Sequence, residues 1–193
     1  TGIGGQKGGR SAPTVINRAY STYQFWDGRA SMLEDQAKGP IANPIEMTRE
    51  KTADAAHKSA VVVIKSIPGY VDRFKAVFGT SDLTIDHIAK AVATFERTVL
   101  SGNAPYDRYQ NGDAKAMTTE QVRGMNVFFN KSACDSCHLG FNFTDGSYVN
   151  IGIGMDKAKP DLGRYVVTER EEDKGAFKTP TLREIEQLGH VGN

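Results

Sequence analysis

The chain has 193 residues, enough for one medium domain or two small ones. Its 24 Lys and Arg nearly balance its 23 Asp and Glu, so the net charge of +1 leaves no basic surplus for phosphates and argues against a nucleic-acid partner. The longest aliphatic run, Val61 to Ile64, is far short of a bilayer span, so no membrane crossing is expected.

Residues 1–14, TGIGGQKGGRSAPT, read as a glycine-dense loop closed by Pro13, slim enough to approach a ligand closely. Ser31 and Glu34 fit a capping box that opens a short helix, which Gly39-Pro40 should stop, and Asn43-Pro44 marks a turn. Ala53 to Ser66 predicts a helix ended by the Ile67-Pro68 step. Val71, Phe74, Val77 and Phe78 recur at helical spacing up to Gly79. Thr84 can cap the next helix, whose expected apolar face is Ile85, Ile88, Ala89, Val92, Phe95 and Val99, with Gly102 as its stop. Ser101 to Gly112 is rich in turn formers and is the expected domain boundary. Thr118 and Gln121 form a second capping box, opening a helix from Thr119 to Asn130 that should bury Val122, Met125, Phe128 and Phe129. Phe141 to Pro160 reads as a long loop, and Leu182 to Leu188 as a short helical segment. The expectation is a mostly α fold with long functional loops.

That second helix leads into Cys134-Asp135-Ser136-Cys137-His138, which holds both cysteines of the chain. C-x-x-C-H is the attachment signature of a c-type haem. Two thiols form thioethers with the haem vinyl groups, and the adjoining His138 supplies an axial nitrogen to the iron. A zinc knuckle would need two more Cys or His nearby, and none lies within about forty residues before the motif or fifty after it. A redox C-x-x-C should sit between a strand and a helix, whereas a helical pattern precedes this one. A buried haem would also add apolar volume to a chain whose hydrophobic content, 39%, is low. Haem c is attached outside the cytoplasm in bacteria, which places the protein in the periplasm. With both thiols on haem, none is left for a disulfide. His57 and His87 read as surface residues, and Met47 and Met155 as core or loop residues rather than thioether ligands.

Taken together, four blocks of sequence resemble the bacterial di-haem cytochrome c peroxidase family. They are GGQKGGRSAPTVINRAY (4–20), FWDGRASMLEDQAKGPIANPIEM (25–47), PYDRY (105–109) with FFNKSACDSCHLGFNFTDG (128–146), and DLGRYVVT (161–168) with GAFKTPTLRE (175–184). The resemblance implies two cytochrome c-like domains with long loops wrapping haem. Residues 1–101 would form the peroxidatic domain, lacking its own C-x-x-C-H in this chain, and 102–193 the relay domain. The family's first C-x-x-C-H would lie upstream of Thr1 and the relay haem's second ligand beyond Asn193, so the chain reads as a piece cut at both ends. His190 is similar to a family histidine, but its spacing is short and it is not counted as a ligand.

The implied activity is reduction of hydrogen peroxide to water, with electrons from a small c-type cytochrome or a cupredoxin. Cys134, Cys137 and His138 match the relay haem, and Trp26 matches the tryptophan between the two haems. Gln36 and Glu46 match the pair over the peroxide site. Heterolysis of peroxide moves a proton from one oxygen to the other; a carboxylate can carry it, and an amide can only hydrogen-bond. Ile3 stands where many members place a histidine that caps the peroxidatic iron, so the resemblance implies an iron already open to peroxide. An open site also suits the related di-haem oxidase that matures a tryptophan tryptophylquinone cofactor. A plain electron-transfer cytochrome is the third reading, although a carrier needs none of Trp26, Gln36 and Glu46. The family further implies calcium between its domains, where Ser11 replaces the usual Asn with a weaker ligand, and a homodimer.

Overall fold

The computed structural model describes residues 2–186 and is mostly helical. Four helices dominate the first half: α1 (Leu33–Ile41), α2 (Ala53–Lys65), α3 (Pro68–Phe78) and α4 (Ile85–Thr98). None of the described helices is long and apolar enough to cross a membrane. Local chemistry explains most of their ends. Thr52 caps α2 by accepting the Ala55 amide, and Pro68 opens α3 at the first-turn position that needs no N–H. Gly79 ends α3 at φ +72°, a left-handed conformation that favours glycine. Phe74, Leu83 and Ile88 form a small core, onto which Val61, Ile64, Phe78 and Ile85 pack. The helix α4 packs chiefly along α1.

Several expectations need correction. No Ser31 cap opens α1; Met32 stands at its N-cap, and Ser31 instead donates to Asp35 at 3.4 Å. The helix also runs through Gly39 and Pro40 to Ile41, because a proline in the last turn costs only the bond its N–H would give to Gln36 O. The helix α4 stops at Thr98, four residues before Gly102. Its buried face is Ile88, Ala89, Ala93 and Glu96, whereas Val92 and Phe95 are 38% and 67% exposed. Close approach to α1 selects the small side chains and turns the large ones outward. His57 and His87 are not simple surface residues. His57 is half-buried with Nε2 3.1 Å from Lys38 O, and His87 closes a capping box with Thr84 while packing on Phe78.

The second half is more irregular. The expected turn region holds a short helix, α5 (Pro105–Gln110), with Asp107 accepting the Ala104 amide. The Thr118–Gln121 box opens α6 (Thr119–Asn126) as expected, but the helix widens into a π-helical turn at Val127–Lys131. Val122, Met125, Phe128 and Phe129 are only half-buried. Phe128, Phe129, Phe143 and Tyr106 form an aromatic cluster with ring centroids 5.0–6.2 Å apart. The long loop contributes a strand, β1 (Tyr148–Val149), antiparallel to β2 (Phe177–Lys178). A one-turn helix, α7 (Tyr165–Thr168), lies between them. Arg183 grips Asp107 with two bonds of 2.5 and 2.8 Å, tying the TPTLR block to PYDRY. Residues 183–186 form turns rather than helix; residues 187 and 188 of that segment, and His190, lie outside the described residues.

Candidate functional site

A cavity of about 820 Å³ opens between the glycine loop, residues 25–29, α1, the turn at 43–47 and the C-terminal turn of α4. Trp26, Gln36, Glu46 and Ser11 all stand on its wall. Each is placed by local structure. Gln36 points from the middle of α1, whose buried residues Leu33 and Ala37 hold the helix against α4. Its Oε1 is buried and has no hydrogen-bond partner, so it is an acceptor waiting for a donor. Glu46 is exposed at the cavity mouth, and its Oε1 accepts from Asn43 Nδ2 at 2.7 Å. Asn43 also organises the turn. Its side chain accepts the Ile45 amide at 2.9 Å, and its carbonyl accepts the amides of Glu46 and Met47 at 3.0 Å.

The glycine loop is pinned to that turn, since Ile3 N donates to Glu46 O at 2.9 Å. Gly2, packed against Ile45 O, stands on the cavity wall there. The half-buried Trp26 donates its indole N–H to Ser11 O at 2.8 Å, and its carbonyl accepts the Lys178 amide at 2.8 Å. The neighbouring Asp27 is buried between Arg10 at 2.6 Å and Arg29 at 2.9 Å, and Arg10 reaches on to Asp161 at 2.6 Å. Burial pushes the Asp27 carboxyl up, but the Arg10 hydrogen bond and the Arg29 charge outweigh it, holding the group below its ordinary range. Ser11 itself is exposed, and among the described residues no three His, Cys, Asp or Glu side chains gather to hold a metal ion.

Cys134, Cys137 and His138 lie elsewhere, off the wall of this cavity. The chain enters their 3-10 turn (Cys134–Ser136) through Ala133 at φ +50°, and the His138 amide closes back on Cys134 O at 3.0 Å. Both thiols are free and half-buried. His138 Nδ1 lies 3.0 Å from Phe143 O. That contact fixes Nδ1 as the donor and leaves Nε2 with its lone pair outward, the tautomer and orientation that a metal-ligating histidine needs. Two free thiols at this spacing and an oriented imidazole fit a c-type haem. The cavity fits a large group through its volume and the unpaired Gln36 Oε1, although among the described residues its wall carries no Cys or His.

Residues 1–115 match the family of di-haem cytochrome c peroxidases. The chain belongs to that family. It is 42% identical to cytochrome c551 peroxidase of Nitrosomonas europaea over 94% of this chain and 53% of that protein. It is 39% identical to the methylamine utilization protein MauG of Methylorubrum extorquens over 93% of this chain and 49% of that protein. The chain thus spans about half the length of the curated relatives it matches. Among solved structures, a MauG-like protein associated with microbial copper homeostasis matches with a TM-score of 0.78 at 28% identity, over 96% of this chain and 58% of that one. The di-haem peroxidase BthA of Burkholderia thailandensis shares the fold, with a TM-score of 0.76 at 22% identity over 95% of this chain and 54% of that one.

In this di-haem peroxidase-family chain, three residues matter that motif reading passed over. Asn43 carries a signal, an Asn-Pro turn, but nothing in it marks a partner for Glu46. Arg10 sits in a loop that composition marks as loose, yet it is anchored at both ends. Glu96 stands on the cavity wall, 9% exposed, inside the buried face of α4. Its Oε2 lacks a partner, and burial pushes its carboxyl above the ordinary range against the pull of Arg18 and Arg97.

Proposed function

We propose that this chain belongs to a periplasmic peroxidase that reduces hydrogen peroxide to water, with electrons from a small c-type cytochrome or cupredoxin. The observation that carries the reading is the meeting of Trp26, Gln36 and Glu46 on one cavity, with Gln36 Oε1 buried and unpaired. When bound, haem would supply the iron that polarises peroxide and would pass on electrons received from the donor protein. On this reading residues 1–101 form the peroxide-handling domain and 102–193 the relay domain, with haem c attached at Cys134 and Cys137 and ligated by His138. Calcium at Ser11 and a homodimer belong to the same proposal.

The side chains divide the work by type. Glu46 takes the proton from one peroxide oxygen and returns it to the other, which a carboxylate can do and an amide cannot. Asn43 orients it by holding Oε1 at 2.7 Å, leaving Oε2 for the proton. Gln36 fixes the substrate by hydrogen bonding; its unpaired Oε1 suits a peroxide O–H donor. Trp26 offers an oxidisable π system between the cavity and the strand segment at Lys178, with its N–H held by Ser11 O. Ile3 has no atom that can ligate iron, which supports a site open without prior reduction.

The test is stopped-flow mixing of the full-length holoprotein with a reduced small cytochrome and peroxide. Peroxide-dependent oxidation should appear, and Glu46→Gln should lower it about 100-fold or more while leaving the haem spectra nearly unchanged. No peroxide-dependent oxidation by the wild type overturns the proposal. The 39% identity to MauG supports a second reading, an oxidase that modifies a protein or small molecule. Peroxide consumption that needs such a co-substrate, and does not oxidise the cytochrome, would favour it.

A further inference from the structure

Two buried acceptors face the cavity without donors, Gln36 Oε1 from α1 and Glu96 Oε2 from α4. The first has a use in the proposed chemistry, and the second does not. A buried ionised carboxylate with one oxygen unbonded is costly. Protonation removes the charge and turns the unpaired oxygen into a donor.

The surrounding charges leave that solution open. Arg18 is the cation that faces Glu96 from the 3-10 turn Arg18–Tyr20, but its Nε and Nη2 are committed to Gln24 Oε1 and Tyr23 O. Arg97, on the same helix, is held by Glu34 of α1 with bonds of 2.9 and 3.0 Å, and the Glu34 carboxylate itself opposes ionisation of Glu96. Elsewhere on the wall, Arg10, Asp27, Arg29 and Asp161 are paired with one another, and Glu46 is bonded to Asn43. Burial is the largest influence on Glu96 and pushes it toward the neutral acid, in the same direction as its unpaired Oε2.

We propose that Glu96 is the proton store of the cavity, holding at Oε2 a proton that is delivered during peroxide reduction. The step rests on the peroxidase reading. Turning one peroxide into two waters breaks the O–O bond and takes up two electrons and two protons. Glu46 only moves a proton that peroxide already carries, so it adds none. The electrons come from the small redox protein. Glu96 gives up one of the two protons, becomes a carboxylate beside Arg18, and is reprotonated from solvent through the cavity mouth, while the second proton comes from solvent directly.

Infrared spectra of the full-length holoprotein near neutral pH, taken in H2O and D2O, test the store directly. A protonated-carboxyl C=O band that shifts in D2O is expected in the wild type and in Glu46→Gln, and should vanish in Glu96→Gln. A wild type without that band, or a band that survives in Glu96→Gln, overturns the assignment. Delivery is tested by turnover: Glu96→Gln should lose at least about tenfold in kcat, with a changed pH profile and little change in KM. Glu96→Asp, which withdraws the acid by one methylene, should keep the band and slow turnover. It provides the readout if Glu96→Gln fails to fold. Unchanged kcat and pH profile in the variant overturn delivery. A wild type that shows the band but consumes no peroxide overturns the peroxidase reading and the delivery step together, and leaves the protonated carboxyl standing.

Discussion

Replacing Arg10 with Ala should destabilise the protein by about 2–4 kcal/mol, nearly all of it through one of its two ion pairs. The two arms of Arg10 differ in burial. The Asp27 side chain is 3% exposed and receives Nη1 at 2.6 Å, whereas the Asp161 side chain is 44% exposed. A charge-assisted bond to a buried carboxylate contributes about 1.5–3 kcal/mol, and an exposed pair about 0–1. Asp161→Asn should therefore cost under about 1 kcal/mol, and a double-mutant cycle should find stronger coupling of Arg10 to Asp27 than to Asp161. Urea unfolding of the holoprotein with unchanged slope is the assay. The pH dependence has a definite sign. Asp27 has its folded pKa held below the ordinary 3.8, so its contribution is present above that value and is lost as pH falls through the lower folded one. The Arg10→Ala penalty should shrink correspondingly in acid. An Arg10→Ala cost no larger than that of Asp161→Asn would refute the argument that the buried arm carries the energy.

Two further predictions use the same measurement. Gly28 sits at φ +73°, and an added Cβ would lie 1.9 Å from Tyr148 Oη and 2.6 Å from Arg164 Nη1. Gly28→Ala should cost about 2–5 kcal/mol from backbone strain plus overpacking, whereas Gly79→Ala, at φ +72° with nothing within 4 Å, should cost only about 1–2. Equal costs would show that packing around Gly28 is dispensable. Lys178 is buried, and burial, followed by the Arg18 charge, lowers its ammonium from 10.5 to about 7. Between those values the unfolded chain binds the extra proton, so stability should rise as pH is raised from about 7 to about 10, by at most roughly 4–5 kcal/mol. Lys178→Met should flatten that rise, and a slope that survives the substitution would assign it to another group.

Helix positions were legible where punctuation is local. The Ile67-Pro68 step follows the end of α2 and Gly79 closes α3, each acting through its own backbone. The face of α4 was not legible, because hydrophobicity alone sends Val92 and Phe95 inward, whereas contact with α1 depends on Ala89 and Ala93 being small. Glu96 was invisible for the related reason that a charge on an apolar stripe reads as an interruption until its partners are known. For the site, the family resemblance pointed to Trp26, Gln36 and Glu46, which residue type alone would have left as core or surface residues, and the C-x-x-C-H spacing pointed to Cys134, Cys137 and His138. That the first three share a cavity while the second three lie apart is a tertiary fact, fixed by contacts across 15 to 151 residues such as Trp26 to Ser11 and Arg10 to Asp161.

Those long contacts also recast what the motif blocks are for. Arg10 of RSAPT holds Asp27 of FWDGR and Asp161 of DLGRY. Arg164 of DLGRY donates from Nη1 to Asp27 O at 3.0 Å and lies 3.9 Å over the Tyr148 ring. Gly163 must lack a Cβ because Ala176 O would lie 2.2 Å from one, and Lys178 of GAFKT hands its amide to Trp26 O. Arg10, Trp26, Asp27 and Asp161 stand on the cavity wall, but their polar atoms are bonded to one another or to backbone. Blocks that look like a catalytic signature are therefore, for the most part, a mutual brace around one indole. Such a brace keeps the position of Trp26 independent of how its surface loops vary, and the relay role proposed for Trp26 would need that constancy, because electron transfer is sensitive to distance.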